Sequence, residues 1–228
     1  GDVVGFGLSN DERRGVTSEW ESAFRIARKA GLRSVPHGGE LLGPEHLREV
    51  LDFLKPTRLG HGVRAAESPD VLRRVIDEGV AFEVCPASNV SLGVYSEASG
   101  VPVRTLMDAG ATIALGADDP LLFLSRLTAQ YETLREQGFD DAELAALASS
   151  SVEASFADEA SKRTWKAEIQ DWLAADPSNE TEPLNDADPS SEDDAEADGA
   201  RSETAHTPEE EAKRRKAARP NQVNPSRR

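Results

Sequence analysis

Val35-Pro36-His37-Gly38-Gly39-Glu40 closes a short apolar run with an imidazole, two glycines and a carboxyl group, and its reading decides the fold. Ser34-Val35-Pro36 reads as a strand that delivers His37 at its end, and the arrangement recurs along the chain. Arg58-Leu59-Gly60-His61-Gly62 follows, with His61 24 positions after His37. Phe82-Glu83-Val84-Cys85-Pro86 places Cys85 another 24 on, and Ala114-Leu115-Gly116-Ala117-Asp118-Asp119-Pro120 places Asp118 33 beyond that. Such spacing is about one strand–helix unit of a (β/α)8 barrel, whose ~250 residues divide into eight repeats. The carboxyl ends of barrel strands open on one face, so polar groups scattered through the sequence converge there.

The intervals carry helical patterns. Glu19 to Ala30 places Trp20, Phe24 and Ala27 at helical spacing and stops at Gly31. Pro44 opens a helix with Leu47, Val50, Leu51 and Leu54 on one face, and Ser68-Pro69 starts another that Gly79 closes. Val80 to Val84 is nearly all apolar, as a parallel strand buried on both faces should be. Val103 to Ala109 is a short helix ended by Gly110. Leu121 to Glu136, Asp141 to Ser149 and Asp158 to Leu173 read as further helices over the outside of the sheet. The fold class expected is α/β, a partial (β/α)8 TIM-type barrel with C-terminal helices. Strands near residues 3–8, 34–36, 57–59, 80–84 and 111–115 make five, and closure needs eight.

Composition narrows the function classes. Apolar residues concentrate before about residue 175, so residues 1–173 are expected to form the barrel part. Residues 176–198 hold ten Asp or Glu and no Lys or Arg, whereas 201–228 bring Arg201, Lys213, Arg214, Arg215 and Lys216. Burial would not offset the ordering entropy of such a segment, so 174–228 is expected to be a disordered acidic-then-basic tail. A net charge of −16 disfavours nucleic acid and acidic membrane surface as partners. The single cysteine, Cys85, excludes a disulfide framework and a multi-cysteine zinc site. No apolar run approaches a membrane span and no signal peptide opens the sequence, so a cytoplasmic location is expected.

The strand-end residues are the candidates for chemistry. A neutral imidazole such as His37 suits zinc, and Gly38-Gly39 lets the backbone approach a metal or substrate closely. Glu40, three residues on, reaches the same pocket as a proton donor and acceptor; a plain tight turn is the alternative. His61 stands between two glycines, the setting of an accessible active-site group. Asp118 and Asp119 repel each other unless a cation or donor neutralises them, though Asp119 also fits a helix N-cap before Pro120.

Together these segments resemble the adenosine deaminase family of zinc-dependent amidohydrolases. Gly5-Phe6-Gly7-Leu8-Ser9-Asn10-Asp11-Glu12, His37-Gly38-Gly39-Glu40, Gly60-His61-Gly62, Glu83-Val84-Cys85-Pro86-Ala87-Ser88-Asn89 and Asp118-Asp119-Pro120 stand in the family's order and spacing. The resemblance covers residues 3 to about 170 and implies that the five strands are strands 4–8 of the family barrel. It implies one Zn2+, with His37 and Asp118 as ligands, and Glu40 as the acid that protonates the purine ring nitrogen. His61 would orient and help deprotonate the attacking water. Asn10, Gly39 and Asp119 would face the purine, and Glu83 would fix the tautomer of His61, a strand-end salt bridge being its alternative. The implied reaction is hydrolytic loss of the 6-amino group of adenosine as ammonia. A 6-aminodeoxyfutalosine deaminase and, in another class, an inactive barrel-derived binding protein are the competing readings.

Two departures from the family pattern stand out. The family's first strand carries a His-x-His pair that supplies two more zinc ligands, and here the remaining histidines are His46, on a helix, and His206, in the tail. The expectation is a chain lacking the first three strand–helix units and inactive by itself. The second is Asn10, where many members have glycine within Ala-Gly-Asp-Glu, a change at the substrate's purine edge.

Overall fold

A computed structural model describes residues 3–175. The tail composition and charge blocks of 176–228, and the disorder expected there, lie outside the described residues. Five strands, β1 (Gly5–Leu8), β2 (Arg33–Gly38), β3 (Arg58–His61), β4 (Ala81–Val84) and β5 (Ile113–Leu115), form one sheet. All pairs are parallel and spatial order equals chain order, β1-β2-β3-β4-β5. A doubly wound sheet would reverse direction at a switch point, whereas sequential order throughout is the arc of a (β/α)8 barrel.

Helices cross between the strands: α1 (Glu21–Lys29), α2 (Pro44–Glu49), α3 (Pro69–Asp77), α4 (Pro86–Ser91) and α5 (Val103–Asp108). Their start and stop residues are the ones that the sequence provides. Gly31 takes φ +86 after α1, and the Leu32 amide then returns to the Ala27 carbonyl at 3.0 Å. That is the closing bond of a Schellman turn, and the Val80 amide makes its equivalent to Val75 after Gly79. Pro44, Pro69 and Pro86 each open a helix, where the missing N–H costs nothing. Ser68 occupies the cap of α3 but its hydroxyl donates to Asp70 at 2.6 Å instead of accepting from the helix.

Phe24, Leu47, Leu51, Leu54, Leu59 and Phe82 are fully buried where the helices cover the sheet. Val50–Leu54 continues α2 as a π-type turn, which keeps Leu51 and Leu54 on the buried side down to Lys55 at φ +50. At the outer edge of β5 the amides of Ile113 and Leu115 donate to the Ser150 and Ser151 hydroxyls at 2.7 and 3.1 Å.

Three helical readings change. Leu121–Glu136 is two pieces, α6 (Pro120–Phe123) and α7 (Leu127–Glu136), broken at Leu124 with φ +50. The second expected C-terminal helix begins at Asp141 but runs past Ser149 to Ala154 as α8, and the third is α9, Glu159–Ala174. Helix α4 is additional to the sequence reading.

Candidate active site

The carboxyl ends of β1, β2, β3 and β5 bring the candidate residues to one face. Asn10 (φ +90), His61 (φ +68) and Asp118 (φ +58) follow or end three of these strands in left-handed backbone that non-glycine residues rarely adopt. Only the surrounding structure holds a residue there, at a cost of order 1–3 kcal/mol, and such strain collects at functional sites. Gly39 shares the geometry at φ +72, and a Cβ on it would meet Leu47 at 2.6 Å. Its need for glycine is therefore already met by packing under the Glu40 turn.

His37 and His61 meet edge to face with ring centroids 4.7 Å apart. The approach depends on Gly60, paired in register with His37, because a Cβ there would lie 2.4 Å from His37 Cδ2. Glu40 is 4 % exposed and His61 3 %. Glu40 Oε1 stands 3.3 Å from His61 Nδ1, and the Asn89 amide donates to the same oxygen at 3.3 Å while lying 3.5 Å from Nδ1. The nearer Glu40 Oε1 is an acceptor, which favours the His61 tautomer protonated on Nδ1 and leaves Nε2 free to take a proton.

Burial sets the charges. It pushes the Glu40 carboxyl up to about 7, reinforced by the negative charges of Glu12 and Asp118 and opposed by the Asn89 hydrogen bond. Burial, followed by the neighbouring His37, pulls His61 down to about 4, against the attraction of Asp118. Near neutral pH the pair is a half-protonated acid beside a neutral imidazole, two titratable groups driven apart by their surroundings.

Ring nitrogens of His37 and His61 and the Glu40 carboxylate lie within 4.8 Å of one another, a group able to hold a metal ion. The buried His37 Nδ1 has no hydrogen-bond partner. Imidazole nitrogen and carboxylate oxygen are donors that zinc takes, so the residues fit such an ion. Asp118, the other expected ligand, is not one of these three but is near enough for its charge to act on both Glu40 and His61, and its Oδ2 accepts from the buried Ser88 hydroxyl at 2.6 Å. Asp119 caps α6, with Oδ1 accepting from the Leu121 and Leu122 amides at 3.1 and 3.0 Å. Asn10 Oδ1 accepts from the Asp11 amide at 2.8 Å, a bond that stabilises its left-handed turn.

Glu83 is the residue whose surroundings differ most from expectation. Its carboxylate forms an ion pair with Arg58 at 2.8 Å, and Arg58 also stacks on Phe156, 4.2 Å from the ring centroid. The groups at His61 Nδ1 are Asn89 and Glu40, and the strand-end salt bridge, the alternative reading of Glu83, is the contact that Glu83 forms. Ser88, Asn89 and Glu12 are the polar residues at this site to which the sequence reading gave no role. Ser88 and Asn89 follow Pro86 on α4 and are fully buried, and two polar residues just after a proline at the end of a strand were the available signal.

The family model described as Adenosine deaminase matches residues 1–172. A putative adenosine/adenine deaminase of Streptomyces coelicolor is 60 % identical over 174 residues, 76 % of this chain and 51 % of that protein. An adenine deaminase of Agrobacterium fabrum is 39 % identical over 170 residues, 74 % of this chain and 52 % of that protein. Among solved structures, adenine deaminase from Arthrobacter aurescens superposes with a TM-score of 0.73 at 33 % identity, covering 75 % of this chain and 53 % of that one. An amidohydrolase from Burkholderia ambifaria with bound Zn superposes at 0.68 and 26 % identity, covering 77 % and 51 %. The chain spans about half the length of the curated relatives it matches.

Proposed function

The chain belongs to the adenosine deaminase family, and from that premise we propose that it carries the acid–base half of a hydrolytic deaminase acting on a 6-aminopurine, as free base or nucleoside. The observation that carries the reading is the buried Glu40–His61 pair, 3.3 Å apart, whose carboxyl group retains a proton near neutral pH. A carboxyl tuned to about 7 is matched to proton donation at the operating pH, a contribution typically worth about 10²–10⁴-fold.

In this reading Glu40 donates its proton to the ring nitrogen next to the carbon that bears the amino group. Electron density is drawn from that carbon and water oxygen adds to it, while His61, neutral and with Nε2 free, orients the water and takes up one of its protons as the oxygen–carbon bond forms. His61 passes that proton to the departing amino group, which leaves as ammonia, and the adduct's hydroxyl proton returns to Glu40, leaving a 6-oxopurine. His37 and Asp118 would hold a zinc ion, which supplies a hydrolytic nucleophile at neutral pH by acidifying water. Asn10 and Asp119 stand at the strand ends where the purine would lie, and relatives named for adenine and for adenosine support both substrate forms.

The test is ammonia release from adenine and from adenosine by the natural full-length protein supplied with zinc. Turnover of either, abolished by Glu40→Gln, is expected. No ammonia from either substrate by a zinc-loaded, folded protein would overturn the proposal and favour a binding role.

A further inference from the structure

Glu12 lies on the loop after β1, yet its carboxylate is buried under the turn that presents Glu40. The side chain is 2 % exposed. Three successive backbone amides converge on it: Glu40 N–H at 3.1 and 3.2 Å to the two oxygens, Leu41 N–H at 3.0 Å and Leu42 N–H at 2.9 Å to Oε2. His46 Nδ1 stands 3.7 Å from the same oxygen, and His46 Nε2 is 3.1 Å from Thr17 Oγ1. Successive amides aimed at one point form an anion nest, here filled by a side chain of the protein itself. Without the carboxylate the three amides would be left as donors with no acceptor, which a protein interior disfavours.

The turn so held has few other supports. Leu41 O accepts from Arg64 Nη1 at 2.8 Å, and Gly39 O accepts from the Arg64 amide at 2.9 Å. These bonds tie carbonyls to the segment after β3, whereas Glu12 gathers the amides and ties them to β1. Glu12, two residues after Asn10, thus ties the loop after β1 to the Glu40 turn.

We propose that Glu12 is a positioning residue: its carboxylate, seated in the amide nest of residues 40–42, fixes the Glu40 side chain against His61. The inference rests on the proton-donor reading of Glu40. A proton donor must sit within hydrogen-bond reach of its target, and misplacement by about 1 Å costs on the order of 10²-fold in rate. Glutamine in place of Glu12 keeps the shape but turns an NH2 group toward the nest. Alanine empties the nest and leaves room for formate, a carboxylate of the right chemistry.

The experiment compares the natural full-length protein with Glu12→Gln and Glu12→Ala, by kcat and KM with the better purine substrate and by amide hydrogen exchange at residues 40–42. Both variants should lose roughly 10²-fold in kcat. KM should stay within about threefold, and the amides of Leu41 and Leu42 should exchange faster. Formate, and not formamide, should restore protection and at least tenfold of the rate to Glu12→Ala. If that variant fails to fold, Glu12→Gln decides by its rate and exchange. Wild-type kcat in a variant with fast-exchanging amides would overturn the proposal, as would a loss that formate leaves untouched in folded Glu12→Ala. Absence of turnover in the wild-type protein would count against the deaminase reading alone. The nest would then be judged by formate-dependent protection and by the His61 ring-nitrogen chemical shifts, which must move in Glu12→Gln if Glu12 sets the Glu40–His61 contact.

Discussion

Glu40 Oε1 and His61 Nδ1 lie 3.3 Å apart inside the protein, and burial shifts the two groups in opposite directions, Glu40 up to about 7 and His61 down to about 4. The signs follow from proton counting. Between about 4.5 and 7 the unfolded chain has released the Glu40 proton that the folded chain keeps, so this group makes stability fall as pH rises. Between about 4 and 6.5 the unfolded chain holds a His61 proton that the folded chain lacks, so this group makes stability rise. Over their common range the effects offset each other.

Single variants should unmask each half. With metal removed by chelation, Glu40→Gln leaves the His61 contribution, and the urea midpoint should climb from pH 4.5 to 6.5. His61→Asn leaves the Glu40 contribution, and its midpoint should drop from pH 4.5 to 7. One uncompensated proton corresponds to a slope of at most about 1.4 kcal/mol per pH unit. Parallel profiles for the two variants would contradict the opposed shifts.

Gly60 should act on the metal through His37. Its backbone is ordinary strand, so alanine meets no conformational objection there, but the added Cβ would stand 2.4 Å from His37 Cδ2. The ring must rotate or retreat. Gly60→Ala should therefore weaken zinc binding by about 10–100-fold, the range seen when the orienting surroundings of a ligand are disturbed. Competition with a fluorescent chelator gives the affinity. Gly39→Ala offers the contrast: its strain falls on Leu47, so about 1–3 kcal/mol of stability should be lost to overpacking. Equal zinc affinity in Gly60→Ala and wild type would remove His37 from the ligand set.

Much of this site is legible in the sequence because strand ends, glycines and prolines act locally. Each strand position, and the arrival of His37, His61 and Asp118 at strand ends, follows from short apolar runs punctuated by such residues. Partners across the fold are another matter. Glu83 meets Arg58 because β3 and β4 pair with Arg58 opposite Ala81 and Gly60 opposite Glu83, a register that no local pattern encodes. The break at Leu124 has the same origin. Leu121, Leu122 and Leu124 keep a helical reading going although all three are exposed, and the interruption is held by the buried Gln130. Gln130 donates to Ser125 Oγ and the Arg126 carbonyl, and it accepts from the Ala87 amide at 3.0 Å. Propensity favours the continuous helix, and a buried long-range hydrogen-bond set overrides it.

Glu40 and Asp118 should separate by what they lose. Glu40→Gln preserves shape and the Asn89 contact but has no carboxyl proton to donate, so turnover should fall by about 10²–10⁴-fold with zinc content maintained. Asp118→Asn is the cleaner partner than alanine, because asparagine tolerates the left-handed backbone at φ +58 and can still accept from Ser88. It should lose zinc. Metal analysis of purified variants beside ammonia release distinguishes the two, and equal metal loss in both would merge the roles of acid and ligand.

Asn10 should bear on substrate choice. It follows β1 at φ +90, a conformation that suits glycine, and pins itself there by accepting from the Asp11 amide. The residue is exposed on the face where the purine would lie, beside a cavity of about 300 Å³ that His37 and Trp20 also line. Asparagine adds volume and an amide group where glycine would leave open backbone. The free base and the nucleoside differ by a whole sugar, so a side chain at this position bears unequally on the two. Asn10→Gly should keep the turn, since the backbone angle favours the substitution, and should change the ratio of kcat/KM for adenine over adenosine by tenfold or more, equivalent to about 1.4 kcal/mol between the two transition states. Steady-state kinetics of both enzymes on both substrates, with 6-aminodeoxyfutalosine as a third, measure it. A ratio unchanged within about twofold, under ~0.5 kcal/mol, would show that Asn10 serves the turn alone and that discrimination lies elsewhere in the pocket.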